Sequence, residues 1–124
     1  MSISDRARVG VQDMAPAERP ISEQFRVVAK QWVDADAAAS LLEDTRQSVF
    51  SQLVLNSTDT SIARAEHTAR ASAPYREHIE LQTEARRHAN LLKVQMRFIE
   101  MKFSEWTSAD ANARREMQMG RKGP

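Results

Sequence analysis

The chain has no cysteine among its 124 residues. Disulfides, thiolate metal sites and thiol nucleophiles are therefore excluded, and the absence fits a reducing compartment. Glycine occurs three times and proline four times, near the ends or beside apparent breaks. So little turn chemistry argues against a sheet protein and leaves most of the chain free to be helical. No apolar run approaches the roughly 20 residues that a bilayer span needs. The opening MSISDRARVG carries acid and base before any apolar run, unlike a secretory signal. A cytoplasmic protein without a membrane partner is expected. Neither sign of charge dominates: the formal net charge is +1, which gives no global pull toward nucleic acid or a charged surface. No P-loop, Gly-rich dinucleotide turn or HExxH stretch occurs, so neither an enzyme nor a cofactor is expected.

What is present suits one helical domain. Apolar residues make up 41% and charged residues 28%, a balance unlike that of a disordered tail. Residues 1–20 hold Gly10, Pro16 and Pro20 with little periodicity, and read as an N-terminal arm without a core of its own. A helical coiled-coil domain is expected over 21–119, followed by a basic tail over 120–124.

The first helix is expected to start after Pro20 with Ser22 as its cap and Glu23 at the positive end of the dipole. Phe25, Val28, Trp32, Ala35, Ala39, Leu42, Arg46, Val49 and Leu53 then recur at alternating steps of three and four. That period is the mark of a supercoiled seam with one polar interruption. Alanines 37–39 allow a second helix to approach closely. The cluster NSTDTS at 56–61 favours a turn, because its side chains compete for local backbone groups.

A second helical stretch begins at Thr60 or Ser61 and shows a narrow face of Ile62, Ala65 and Ala69. Pro74 disfavours helix for the residue before it. Either one long helix kinks there, or a short helix ends and another starts with Ser72 or Ala73 as cap. Beyond it, Ala85, Ala89, Leu92, Met96, Ile99, Phe103, Trp106, Asp110, Ala113 and Met117 again step by three and four. Thr107 or Ser108 could cap locally and break this helix.

These lengths do not match. Residues 22–55 make a rod of about 50 Å and 61–119 one of about 90 Å, if unbroken. A short turn favours antiparallel neighbours, so the first rod is used up near residue 95 of the second. The most apolar stretch, Leu91–Trp106, would then project with Met96, Phe98, Ile99, Met101, Phe103 and Trp106. Each large side chain left in water forgoes roughly 1.5–3 kcal/mol. The N-terminal arm, a return of the kinked helix, or another chain could cover it. We favour another chain, with Leu92, Met96, Ile99, Phe103 and Trp106 as the interface residues.

Other side chains suggest chemistry and also have plainer explanations. Glu77, Glu80, Glu84 and His88 share part of one face. The Glu84–His88 spacing is one residue too long for the di-metal helix pattern, and a solvated acidic surface accounts for them. No metal is expected. Arg86, Arg87, Lys93, Arg97, Arg114, Arg115, Arg121 and Lys122 are the groups that a phosphate backbone could use. Interspersed acids and the lack of a reader motif make salt-bridged helix surface the plainer account. Trp32 and Trp106 lie on the apolar stripes, as core or interface residues would. His67, His78 and His88 have no nucleophile beside them in the pattern, and the late methionines suit an adaptable surface or core filling.

The half of the chain from Ala63 to Met117 resembles small helical proteins of bacteriophage and prophage genomes. The likeness rests on the pair Tyr75-Arg76 and on Trp106, Ser108, Ala111, Arg114, Glu116 and Met117 in their spacing. Such proteins often sit among replication and recombination genes, so the resemblance implies a role beside single-strand annealing or DNA-binding proteins. It brings no catalytic residues.

The expected architecture is all-α: a long antiparallel helical hairpin or coiled coil, oligomeric, with a possible kink at Pro74. The expected function is that of a non-enzymatic interaction protein that self-associates and binds another protein, as a recombination or replication accessory or a modulator of a host factor. A nucleic-acid-binding accessory using the basic residues of the last helix, or a helical stalk, are the alternatives.

Overall fold

The computed structural model describes residues 19–121, apart from the side chain of Arg121. The N-terminal arm up to residue 18 and the tail from Lys122 lie outside the described residues. Among the described residues all regular structure is helical: α1 (Ile21–Leu55), α2 (Ile62–Ala71) and α3 (Ala73–Arg121). None is long and apolar enough to cross a membrane.

Local chemistry sets the ends of these helices. The carbonyl of Pro20 accepts from the amides of Glu23 and Gln24, each at 3.0 Å, so Pro20 and not Ser22 occupies the capping position of α1. A proline carbonyl can open the ladder as well as any other, and its missing N–H is not needed there. Gln24 adds a side-chain bond from Nε2 to the Arg19 carbonyl at 2.6 Å. After α1, Ser57 and Asp59 tie the turn: the Asp59 amide donates to Ser57 Oγ at 3.1 Å, and that hydroxyl donates to Asp59 Oδ2 at 2.9 Å. Ser61 caps α2, its extended backbone leaving Oγ to accept from the Arg64 amide at 3.2 Å.

Of the two outcomes open at Pro74, the chain takes the second. Ser72 is extended (φ −72°, ψ 150°) and serves both helices. Its hydroxyl donates to the Ala69 carbonyl at 2.6 Å, closing α2, and its own carbonyl accepts from the Arg76 amide at 3.2 Å, opening α3. Pro74 then falls in the first turn of α3, where proline is tolerated. Thr107 does not break α3. Its hydroxyl donates to the Phe103 carbonyl one turn back, at 2.9 Å, and the helix continues to Arg121.

The chain forms two compact units. One comprises Lys30–Lys93, and the other the described residues up to Ala29 together with the described residues from Val94 onward. In the Lys30–Lys93 unit α1 and α3 run antiparallel. Phe50 meets the Tyr75 ring edge-on at 5.8 Å, Leu42 offers its carbonyl to His78, and Arg86 reaches Asp36. The core is small-residue: Ala39, Ala65, Ala69 and Ala89 are buried, with Leu92 beside them. Ala39 and Ala89 have no exposed surface at all, as the close approach of two helix backbones requires. Of the alanines at 37–39, only Ala39 is buried.

In the other unit Ile99 is buried, Met96 is half-buried, and Phe25 and Val28 of α1 are half-buried. Ile99 and Phe103 line one groove with Ile21 and Phe25. The partnered part of α3 thus extends to about Phe103, and not only to residue 95. The register differs because the turn, α2 and the break at Ser72 consume chain before α3 meets α1: Phe50 already lies against Tyr75.

Candidate interaction surface

The five residues expected at an interface divide. Leu92 and Ile99 are buried within the chain and Met96 is half-buried. Phe103 and Trp106 remain open, at 52% and 60% exposure. Their rings lie 6.3 Å apart at 30°, a tilted pair one turn apart along α3. Beyond them every described residue of α3 is exposed except Asp110, which is half-buried beside its ion-pair partner Arg114 at 3.0 Å. Met117 and Met119 are among those left exposed.

Two grooves flank Ile99. One, of about 250 Å³, is lined by Ile21, Ser22, Phe25, Ile99, Glu100 and Phe103. The other, of about 290 Å³, lies on the side of Val27, Val28 and Phe98. A second exposed set, Val94, Phe98 and Met101, stands on α3 outside the seam spacing. Spacing alone did not single out these residues as a set, because they fall between the seam positions.

The basic residues are spread over several environments. Arg86 is half-buried and held by Asp36 at 2.7 Å and by Glu43, with Ser40 Oγ at 3.3 Å. These hydrogen bonds, Asp36 first and then Glu43, raise the Arg86 pKa above its ordinary value. Arg87 pairs with Glu84 at 3.3 Å and Arg114 with Asp110. Lys93, Arg97 and Arg115 are exposed and form no ion pair among the described residues. Lys122 and the side chain of Arg121 lie outside the described residues. The basic residues do not form one described cluster, and the innermost of them ties α3 to α1.

Nor do the other polar candidates converge. Among the described residues no group of His, Asp and Glu is arranged to hold a metal. Glu84 is engaged with Arg87. His78 Nε2 contacts the Leu42 carbonyl at 2.7 Å, which makes it a tie between helices. Sequence spacing did not identify Arg70, whose guanidinium lies 5.0 Å over the Phe50 ring. The signal that could have found it is an Arg two residues before the Ser-Ala-Pro break. A cation there lies near the carbonyl end of α2.

No family model, curated protein or solved structure matches this chain.

Proposed function

We propose that this protein is a non-enzymatic helical interaction protein that self-associates through the open end of α3, from Phe103 onward. In this reading α1 and α3 form one antiparallel coiled-coil hairpin, and the assembly presents surfaces to a further protein partner. The single observation that carries it is the exposure of Phe103 and Trp106 on the same three-four spacing that is buried earlier in α3 at Ala89, Leu92 and Ile99. A stripe that is core for several turns and then lies open has the pattern of a seam awaiting a second helix. The phage-type resemblance supports a recombination or replication accessory as the wider role.

The test is a charge substitution at both open positions, Phe103→Glu with Trp106→Glu, with absolute mass measured by light scattering. Both side chains are exposed, so the helices remain folded and far-UV circular dichroism is unchanged. The wild-type chain is expected to be a multimer and the double variant a monomer. An equal mass for the two would remove the interface from this stretch.

A further inference from the structure

Within the unit that holds the end of α3, the first turn of α1 stands level with Ile99, Glu100 and Phe103. Residues 104–121 of α3, about 27 Å of helix, therefore extend past the start of α1. Three features of this end have no use among the described residues. The seam spacing continues through Phe103, Trp106, Asp110, Ala113, Met117 and Gly120. The groove against Ile21 and Phe25 lies open at the base of that stripe. The amide end of α1, with its positive dipole, lies alongside it.

We propose that this end of α3 pairs antiparallel with the same segment of a second copy, centred between Ala111 and Asn112. The proposal rests on the self-association reading above and adds to it orientation and register. In this register Trp106 faces Met117 of the second copy, Asp110 faces Ala113, and Phe103 faces Gly120. The two-fold axis repeats each relation, as a closed and self-complementary dimer requires. A methionine sulfur against an aromatic ring is a favourable contact. Asp110, already paired with Arg114 of its own helix, meets a small residue and no second charge.

The two ends also fit electrostatically. The carbonyl end of α3 from the second copy arrives where α1 begins, so a negative dipole end meets a positive one. The seam between α1 and α3 is then continued by α3 of the second copy, in line with α1.

The alternatives fit less well. Parallel pairing sets Asp110 against Asp110 on the seam, a like-charge contact, and leaves the groove at Ile21 uncovered. An antiparallel register one heptad deeper lays the second copy over the first turns of α1, where Phe25 and Val28 already occupy the seam.

The experiment uses the full chain carrying a single spin label at Arg97→Cys or at Asn112→Cys. Both positions are exposed, and no native cysteine competes for the label. Pulsed dipolar spectroscopy reads the distance between copies, and light scattering on the same samples gives the mass. The proposal expects a dimer with labels at position 97 about 45 Å apart. Labels at position 112 should be within about 20 Å, since the helix axes lie about 8–10 Å apart. A dimer with both pairs short overturns the antiparallel seam while leaving self-association intact. A dimer with the position 112 labels far apart overturns the register. A monomer at every concentration overturns both the seam and the self-association on which it rests, as would be found if the N-terminal arm covered Phe103 and Trp106.

Discussion

Arg86 shows how one side chain can be read from sequence in two ways. As one of a series of late basic residues it suggests a phosphate contact. In the structure it spans Asp36 and Glu43, two acids seven residues apart on α1. That spacing, one heptad along a seam edge, was visible in the sequence. The pairing needed the register between the helices, which no local pattern supplies. The Ala39 and Ala89 positions were legible, because alanine at a seam position permits close approach. Replacing Ala89 by Leu forces a large side chain into a site with no free surface and is expected to cost about 1–3 kcal/mol, measured by urea denaturation. Gln82 gives the opposite expectation. Its Oε1 is buried without a hydrogen-bond partner among the described residues, so Gln82→Met should raise stability by about 1 kcal/mol in the same assay. Glu23 carries a pH dependence. Its hydrogen bond from Arg26 holds its carboxyl below the ordinary carboxylate range. The stabilisation is then present above the unfolded-state pKa and is lost as pH falls through the lower folded one. Arg26 is exposed and Glu23 half-buried at the start of the helix, so the effect is confined to the first turn of α1. It should be seen as a loss of amide protection there below about pH 4.

At the scale of elements, helices were the most legible feature and their ends the least. The three-four spacing follows from packing one helical face against another, and the structure buries or half-buries that stripe from Phe25 to Leu53 except at Arg46. The alanines at 65 and 69 are buried as their small face implied, whereas Ile62 on the same face is 76% exposed, at the first residue of α2. The start of α1 was misplaced by two residues because Ser22 has the chemistry of a cap, but the ladder opens on the Pro20 carbonyl. The break before Pro74 was legible as a pair of outcomes. Ser72 decides between them by serving both helix ends. Ser61 makes a prediction at this scale: Ser61→Ala removes the acceptor for the Arg64 amide and should destabilise α2 by about 1 kcal/mol. Hydrogen exchange at the Arg64 amide should quicken while that in α3 near Ala89 stays unchanged. Equal acceleration at both would mean that α2 does not open on its own.

At the scale of the whole molecule, the limited burial within the chain matters most. Each unit is cored by small or partly covered side chains, and among the described residues no large side chain is fully buried. The mismatch between the two rods was legible from residue counts. Its position was not, because counting cannot tell how much chain α2 and the turn consume. The excess of α3 begins about two turns later than the rod lengths imply, which moves Ile99 into the chain's own core and leaves Phe103 and Trp106 outside it. Self-association through that end is the central claim, and its most direct test is the absolute mass of the wild-type chain by light scattering across a wide range of concentrations. We predict a dimer that dissociates to the 14.1 kDa chain on dilution. A single 14.1 kDa species at every concentration would contradict the claim.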